Sequence, residues 1–483
     1  MVQTNENNNQ PAISKSVKRW VLVVAIFGQF MAPFDGAVVN LAIPSIGKEL
    51  GGNISLLSWI ITGYLIAVAS LNLSAGRLAD IRGRRNTFVL GVAIFITASA
   101  LCGFSSSVNE LIVTRLIQAL GASMMSGIAA ALLSTFYAPS ERGRALGIAS
   151  ASTYTGLSIG PSAGGFLIQY LGWRSIFYVN IPIGIVVLLI ALFMIRGEMP
   201  KGKPEKFDIR GAVIYGTAIF MSLLGVSYLG TSLAIGLPIV VLGVAALAAF
   251  VFVESKTEHP LLDLKLFAKN RLFTLTVATT FLNYASTYGI GFVMSLYLLL
   301  GLKYSPSLAG LILLAQPLVM VISSPFGGYL SDKIEARYQV SAALAVMCVA
   351  IISLSTLGPS ATPLDIVVRL AFLGLGYGFF SSANVNATIS TVPKHQYGLA
   401  SGIQNTMRNS GQAISLALVT YILSMTLHAN AASNTALQSV PPGLIVSGVK
   451  TAFVVLAIIN GLGILTSLNR GKKIIRPTAA PTS

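Results

Sequence analysis

The chain has 483 residues, of which 54% are hydrophobic and only 10% charged, and its formal net charge is +17. About a quarter of the residues in a soluble domain are charged, so this composition excludes a soluble globular protein. Long apolar runs recur from end to end, which predicts a helical protein that crosses a membrane many times.

The apolar runs predict fourteen spanning helices, because each is close to the roughly 20 residues that cross a bilayer core. The predicted spans are 20–43, 56–76, 86–104, 109–133, 145–168, 176–195, 211–228, 232–252, 272–300, 306–329, 338–357, 363–389, 399–426 and 447–468. The first span is too long to be the apolar part of a signal peptide, so we expect it to remain in the protein.

These spans divide the chain into five predicted parts. They are a cytoplasmic N-terminal tail at 1–19, a six-helix bundle at 20–195, charged linkers with an inserted helical hairpin at 196–270, a second six-helix bundle at 271–470 and a cytoplasmic C-terminal tail at 471–483. The hairpin, 211–252, contains almost no ionisable group, and we expect that it need not contact substrate. The stretch 427–449 is predicted to be an irregular outer loop.

The placement of lysine and arginine predicts the orientation in the membrane. With the N-terminus inside, 25 of the 32 basic residues lie in the tails and inner loops, four lie in outer loops and three lie within spans. Cytoplasmic loops of membrane proteins carry this excess, so both termini are predicted to be cytoplasmic. The net charge is therefore explained by topology and not by a nucleic-acid partner.

An internal repeat relates the two bundles. The polar segment Gly76–Arg85, predicted to be a short loop at a membrane face, has a weaker copy at Gly328–Arg337. The matched pairs are Gly76 with Gly328, Asp80 with Asp332, Arg115 with Arg369, and Gly156 with Gly411, at offsets of 252, 252, 254 and 255 residues. Repeats of this size in an apolar chain are typical of transporters with two related halves.

Asp35 is the only carboxylate well inside an apolar run. Desolvation disfavours the charged form of a buried carboxylate, which suits a group that exchanges protons. Acids within spans are functional candidates by default. The alternative is a structural carboxylate held by a neighbouring arginine or amide.

Arg115 lies in the fourth span, followed on the same side by Gln118 and Gly121. A cavity would suit all three residues, which favours a functional arginine. Glu110 precedes Arg115 closely, so local charge neutralisation is the alternative.

Two further arginines lie within spans of the second bundle. Arg369 follows Asp365 by one helical step of four residues, which favours local neutralisation. Arg408 is predicted either to anchor Asp80 or to bind a phosphate headgroup.

Small residues surround a proline in the fifth span. Glycines at a four-residue spacing let another helix approach closely, and Pro161 removes a backbone donor and bends the helix. Packing that changes between two states also forms a gate. The predicted gate residues are Gly76, Asp80, Arg84, Arg85, Gly156, Gly160, Pro161, Gly164, Gly165 and Asp332.

Polar and aromatic residues within spans are candidates for substrate contacts, although most such residues bond across helices. The predicted substrate-binding residues are Asn40, Gln118, Tyr154, Asn283, Tyr284, Tyr288, Gln316, Asn384, Asn405 and Arg408. The three histidines lie at span ends or in loops without metal-ligand spacing, and both cysteines lie in apolar runs. We therefore expect no metal, no cofactor and no enzymatic activity.

Over residues 20–470 the chain resembles the major facilitator superfamily, in its branch of fourteen-span drug:proton antiporters (multidrug exporters). Gly76–Arg85 is similar to the family's loop signature between spans two and three, and Arg115 to its fourth-span arginine motif. Gly147–Gly165 resembles the fifth-span antiporter motif, Asp35 the first-span motif, and Gly172–Pro182 the start of the sixth span.

The resemblance implies alternating access, in which two six-helix bundles rock about a central site. It implies that Asp80 closes the cytoplasmic side by facing the positive N-terminal end of a partner helix. It also implies that Asp35 exchanges protons and that Arg115 biases this exchange. Ser415 stands at the repeat position of Gly160, so the antiporter motif is complete in one half only. The tenth span carries no acid, which argues against dicationic substrates.

We expect proton-coupled export of a small amphipathic or cationic compound by a monomer in the cell membrane. The alternative is the same fold with a lipid, a siderophore-like metabolite or a sugar-like solute as cargo. A membrane sensor that does not transport has little support, because the tails and loops are short.

Overall fold

A computed structural model describes residues 15–137, 139–194, 208–229, 232–257, 267, 270–331, 333–392, 397–429 and 440–471. Helices make up almost all of these residues, and no strand occurs among them. In the first part of the chain the helices are α1 (Lys15–Leu50), α2 (Ile54–Arg82), α3 (Arg84–Phe104), α4 (Val108–Phe136), α5 (Pro139–Leu171), α6 (Ser175–Tyr178), α7 (Asn180–Phe193), α8 (Ile209–Leu229) and α9 (Leu233–Glu254). In the second part they are α10 (Arg271–Leu296), α11 (Pro306–Leu313), α12 (Ala315–Ser331), α13 (Ala336–Ser355), α14 (Pro363–Ser390), α15 (Tyr397–Ala429) and α16 (Pro442–Leu468).

The predicted all-helical fold with fourteen spans is confirmed, because α6 with α7 and α11 with α12 each form one span. Eleven of the fourteen are long and apolar enough to cross a membrane within the described residues. We call the end of the molecule that is predicted to face outward, where α1 ends and α2 begins, the outer end. The opposite end is the inner end.

Prolines explain the two divided spans, which the sequence analysis treated as single helices. Pro182 has no N–H to donate to the carbonyl of Tyr178, and the helix is interrupted there. Pro317 likewise cannot donate to Leu313, and α11 ends at that residue. A third irregularity follows α10, where Leu302 donates to the carbonyl of Tyr297 at 2.8 Å in a single π-turn.

The predicted loop Gly76–Arg85 is wrong in its extent. Helix α2 continues through Arg82 and α3 begins at Arg84, so a single residue, Gly83, makes the turn. Gly83 has a φ of +97°, a conformation that glycine adopts without strain. The predicted outer loop 427–449 is shorter as well, because α15 continues to Ala429 and α16 begins at Pro442; residues 430–439 lie outside the described part of the chain.

The two bundles repeat the same close helix contact. A Cβ atom on Gly156 of α5 would lie 2.7 Å from the carbonyl oxygen of Phe30 on α1. A Cβ atom on Gly411 of α15 would lie 2.6 Å from the carbonyl oxygen of Phe281 on α10. In each bundle, glycine therefore lets the fifth spanning helix touch the backbone of the first, as the internal repeat predicts.

The bundles meet each other along α1–α10, α2–α15 and α5–α11. The tightest contacts between them are at the outer end, where Gly165 packs against the carbonyl of Pro306 and Gly310 packs against the carbonyl of Pro161. We call these α5–α11 contacts the outer seam. Across the seam, the side chain of Gln169 also accepts a hydrogen bond of 3.2 Å from the backbone N–H of Ser307.

The hairpin of α8 and α9 packs against both bundles. Gly225 and Gly243 bring the two helices together, since Cβ atoms there would lie 2.5 Å from backbone nitrogens of the opposite helix. Helix α8 then contacts α2, where the rings of Trp59 and Tyr228 are 5.5 Å apart. It also contacts α15, where Tyr215 donates to Thr406 at 3.4 Å.

Candidate functional site

Asp35 lies at the centre of a buried polar cluster in the first bundle. It is 1% exposed. One carboxylate oxygen forms an ion pair with Nη1 of Arg115 on α4, and both side chains are fully buried. The other oxygen accepts hydrogen bonds from Nε2 of Gln118 at 3.2 Å and from Nδ2 of Asn180 on α7 at 2.9 Å. All three partners are donors, so the cluster is arranged for an ionised carboxylate.

Arg115 is held by its own set of contacts. Its Nε donates to the carbonyl of Ile60 on α2 at 3.2 Å, and its Nη1 donates to Oε1 of Gln118 at 2.5 Å. The ring of Tyr64 lies 4.1 Å from the guanidinium carbon, close enough for a cation–π interaction. Arg115 pairs with Asp35 and not with Glu110, whose carboxylate accepts hydrogen bonds from Ser106 instead. Local neutralisation by Glu110 is therefore not what the structure shows.

The ion pair of Asp35 and Arg115 is sensitive to the loss of either partner, because both side chains are fully buried. A buried ion pair contributes little net stability, but removing one member leaves an uncompensated buried charge that costs about 3–5 kcal/mol. Gln118 adds a hydrogen bond of 2.7 Å to Ser99 on α3, which fixes the orientation of its amide. The cluster thus joins α1, α2, α3, α4 and α7 around one carboxylate.

The sequence analysis identified Asp35, Arg115 and Gln118 but missed Asn180. It also placed Gln118 with the substrate, whereas here the side chain completes the ion-pair cluster. Gly121 packs tightly against α3, because a Cβ atom there would lie 2.6 Å from the backbone nitrogen of Phe95. It therefore provides close helix packing where the sequence analysis expected a cavity.

Residues of the second bundle reach toward this cluster along α10. The hydroxyl of Tyr288 would lie 3.5 Å from a Cβ atom on Gly36, the residue after Asp35. The Nδ2 atom of Asn40 would lie 3.8 Å from a Cβ atom on Gly291, three residues after Tyr288 on α10. Ser295 donates to the backbone carbonyl of Asn40 at 2.9 Å. The predicted residues Asn40 and Tyr288 are thus brought together where α1 meets α10.

The second bundle carries a neutral counterpart of the cluster. With the offset of 251 residues that relates Phe30 to Phe281, the position of Asp35 corresponds to Ser286. Ser286 accepts a hydrogen bond of 3.1 Å from Nδ2 of Asn460 on α16, as Asp35 does from Asn180. The two halves therefore keep an asparagine from the sixth span on this position, but only the first half has an ionisable group there.

An apolar cavity of about 250 Å³, open on one side, lies between α1 and α5. It is lined by Ile26, Phe27, Phe30, Ile148, Ser152 and Thr155. Phe30 stacks on Phe34 at 5.3 Å, directly before Asp35. Small-molecule sites are typically apolar with a few polar groups, so this cavity is the candidate cargo site. The sequence analysis considered polar residues and missed these phenylalanines, although their spacing of three and four places them on one face of α1.

The other predicted substrate residues are distributed through the second bundle. Asn283 is fully buried and donates to the sulfur of Met347 at 3.6 Å. The ring of Tyr284 packs edge-on against Tyr377 at 5.8 Å. Asn384 is buried between Thr280 and Arg470, away from the Asp35 cluster.

Three more predicted residues, Gln316, Asn405 and Arg408, are half-buried. The carbonyl of Gln316 touches Gly374, so this part of the residue serves helix packing. The Nε atom of Arg408 is buried and has no hydrogen-bond partner among the described residues. The side chain of Tyr154 lies outside the described part of the structure.

The predicted gate residues fall into two groups. Gly160 and Gly164 pack against α1, since Cβ atoms there would lie 2.7 Å from Ala37 and 2.6 Å from Val38. At the repeat position of Gly160, the hydroxyl of Ser415 accepts a hydrogen bond of 2.9 Å from the backbone N–H of Gly289. Serine therefore keeps the close approach and adds a polar contact to it.

At the inner end, Arg85 caps the end of α7, where its side chain donates to the carbonyls of Ala191 at 3.0 Å and Leu192 at 2.6 Å. Arg84 and Gly76 are half-buried at the same end. The side chains of Asp80 and Asp332 lie outside the described part of the structure, so their predicted gate contacts are not described. Arg369, by contrast, pairs with Asp365 at 2.9 Å, as local neutralisation predicts.

Known proteins are similar to this chain in sequence and in fold. The sequence profile of the Major Facilitator Superfamily matches residues 25–416. The riboflavin transporter RibZ of Clostridioides difficile is 31% identical over 417 residues, which cover 86% of this chain and 90% of that protein. The multidrug resistance protein Stp of Mycobacterium tuberculosis is 31% identical over 415 residues, covering 84% of this chain and 76% of its own.

Solved structures agree on the fold at much lower identity. A bacterial homologue of the human lysosomal transporter Spinster, inward-facing and occupied, aligns with a TM-score of 0.68 at 18% identity, over 95% of this chain and 97% of its own. A peptide transporter bound to alafosfalin aligns with a TM-score of 0.69 at 14% identity, over 93% and 94%. The chain is a polytopic membrane transporter made of two related helical bundles. It belongs to the Major Facilitator Superfamily.

Proposed function

We propose that this transporter exports small amphipathic or cationic compounds across the cell membrane in exchange for protons. The observation that carries the proposal is the fully buried ion pair of Asp35 and Arg115, an ionisable group inside a spanning bundle. Several relatives support the export of drugs, since they are named the multidrug transporter MdtP of Bacillus subtilis and the tetracenomycin C resistance and export protein of Streptomyces glaucescens.

The chemistry of the proposed cycle begins at Asp35. A proton that reaches the carboxylate neutralises it and removes the charge partner of Arg115. The guanidinium is then buried without compensation, which favours a rearrangement that hydrates it or gives it a new partner. Release of the proton on the other side restores the ion pair. One carboxylate supports at least one proton per exported molecule.

The apolar cavity beside α1 supports an amphipathic cargo. Phe27 and Phe30 offer aromatic faces, which attract apolar rings and also organic cations. The cavity begins at Phe30, about one and a half helical turns from Asp35 on the same helix. Cargo and proton would therefore both act on α1, the helix that contacts α10 of the second bundle.

The first test uses inverted membrane vesicles with an acidic interior and a fluorescent reporter of the pH gradient. Cationic compounds added to the wild type should dissipate the gradient, and Asp35→Asn should reduce this response to background at equal protein level. Asp365→Asn is the matched control, because Asp365 forms a half-exposed ion pair with Arg369. Undiminished uphill transport by Asp35→Asn would exclude the proposed mechanism.

A second candidate cargo is a planar metabolite of the flavin type, for which the riboflavin transporter RibZ is the supporting relative. Thermal stabilisation of the purified protein distinguishes the two cargoes, since a ligand that binds the folded state raises Tm. Stabilisation by riboflavin without stabilisation by cationic compounds would favour the metabolite. The reverse result would favour drug export.

We also propose that both termini lie in the cytoplasm, on the basis of the lysine and arginine distribution. That the protein acts as a monomer is proposed from the family resemblance alone. Labelling of single cysteines by an impermeant reagent in intact cells tests the orientation. Lys303, which is exposed at the outer end, should be labelled as Lys303→Cys, and Arg210→Cys at the inner end should not.

A further inference from the structure

Arg470 is a buried cation that the proposed transport cycle does not use. It follows the last residue of α16 by two positions, at the inner end of the second bundle, and it is only 2% exposed. Its Nη2 donates a hydrogen bond of 2.6 Å to Oδ1 of Asn384 on α14. Its Nε and Nη1 are buried and have no hydrogen-bond partner among the described residues.

A chain of hydrogen bonds fixes the position of this guanidinium. Asn384 uses its Nδ2 to donate to the hydroxyl of Thr280 on α10 at 2.7 Å. Thr280 in turn donates to the carbonyl of Thr276 at 3.1 Å. These hydrogen bonds assign the oxygen of Asn384 to Arg470, so the guanidinium is held on one side, and its Nε and Nη1 have no partner in the described part of the chain.

The charge of Arg470 is not balanced by these contacts. Both Asn384 and Thr280 are neutral, and none of the ion pairs of the described residues includes Arg470. Burial lowers the pKa of the guanidinium to about 9, because desolvation penalises its charged form. A guanidinium nevertheless keeps its charge at neutral pH. A buried charge of this kind needs a counter-ion, since burying an unpaired ion costs several kcal/mol.

We propose that Arg470, held in position by Asn384, forms a binding site for a phosphate group at the inner end of the second bundle. The planar guanidinium with free donors suits phosphate oxygens better than a lysine would. A phospholipid headgroup or free inorganic phosphate can supply this group. Basic pockets between spanning helices on the cytoplasmic side bind anionic headgroups, and the sequence predicts that most basic residues of this protein lie on the inner side.

The test measures thermal unfolding of the full-length protein, purified in a neutral detergent. Phosphatidylglycerol, phosphatidylcholine and inorganic phosphate are added separately to the wild type and to Arg470→Gln. Phosphatidylglycerol or phosphate should raise the Tm of the wild type by about 3 °C or more. Arg470→Gln should not respond. Without additives it should be at least as stable as the wild type, because it no longer buries an unpaired charge.

Arg210→Gln is the matched control, because Arg210 is an exposed arginine at the start of α8 on the same inner side. It should retain the full response. Arg470→Lys keeps the charge and should retain a reduced response, which also covers the case in which Arg470→Gln does not fold. A response to phosphatidylglycerol alone identifies a lipid, and a response to phosphate identifies a free anion. Equal responses of the wild type and Arg470→Gln, or none in the wild type, would overturn the proposal.

Discussion

Asn180 is the residue through which the sixth span contacts the ionisable group of the first span. Its hydrogen bond of 2.9 Å reaches the same oxygen of Asp35 that Gln118 contacts. Hydrogen bonds to a carboxylate stabilise its charged form, so each donor lost makes protonation easier. We therefore expect three donors on two helices, and not Arg115 alone, to affect the proposed proton exchange at Asp35.

Asn180→Ala should therefore move the pH profile of transport to higher pH while leaving cargo affinity unchanged. The measurement is uphill transport in vesicles as a function of pH, together with the cargo concentration at half-maximal rate. Asn460→Ala is the matched control, because Asn460 donates to the non-titrating Ser286. An identical shift in both variants would show that the effect is structural.

The sequence identified the ionisable members of this cluster because charged and amide side chains are rare within apolar spans. It missed Asn180, although this asparagine lies within the predicted span 176–195, because its contact with Asp35 depends on how α7 packs on α1. The sequence also left open whether Asp35 has a charged partner. In the structure it forms an ion pair with Arg115. The phenylalanines of the cavity were visible as a helical stripe, but such a stripe more often marks a packed core.

Among the elements, the outer seam between α5 and α11 depends on two glycines that meet backbone atoms of the facing helix. Gly310 has no room for a side chain, since a Cβ atom would overlap the carbonyl of Pro161 and lie 3.3 Å from Gly165. The seam can close only because both helices lack side chains at this crossing.

Gly310→Ala should hold the seam apart and slow transport. Spin labels on cysteines at positions Leu171 and Leu308, which are both exposed, report the separation in a variant without Cys102 and Cys348. The label distance should lengthen by a few ångströms. Gly461→Ala on α16 should leave it unchanged, because nothing lies within 4 Å of that Cβ position. Equal distances in all variants would contradict the role of the seam.

Sequence patterns predicted the number and order of these elements well, because length and hydropathy alone define a spanning helix. They failed at the internal breaks before α7 and α12, although Pro182 and Pro317 are visible in the sequence. A proline within an apolar run is compatible with a bent continuous helix or with a break. Tertiary packing decides between the two.

At the scale of the whole molecule, the hairpin contacts both bundles along one side, at α2 and α15, within the described residues. Its helix α8 contacts α2 of the first bundle through Trp59 and Tyr228, and α15 of the second through Tyr215. The prediction that it need not contact substrate is not tested by these contacts. They do show that it bridges the α2–α15 side of the molecule.

The aromatic pair should contribute to the stability of the whole transporter. Trp59→Ala and Tyr228→Ala should each lower Tm. The loss of unfolding free energy in the double variant should be smaller than the sum of the two single losses by about 1 kcal/mol. Thermal unfolding in detergent supplies the measurement. The control pair Phe166 and Tyr170 stacks within α5 at 6.3 Å and joins no second helix, so its coupling should be smaller. Additive losses of unfolding free energy in the variants of Trp59 and Tyr228 would show that the contact between the two rings does not stabilise the protein.

The one-sided position of the hairpin has a consequence for how cargo reaches the protein. Two helical bundles that are linked along one edge separate most at the opposite edge when they rotate about that link. Here the tied edge is α2–α15, and the opposite edge, formed by α5 with α11 and α12, is closed by the outer seam. In the proposed transport cycle, opening of the outer seam would give an apolar molecule dissolved in the surrounding lipid a lateral path to the protein, without first passing through water.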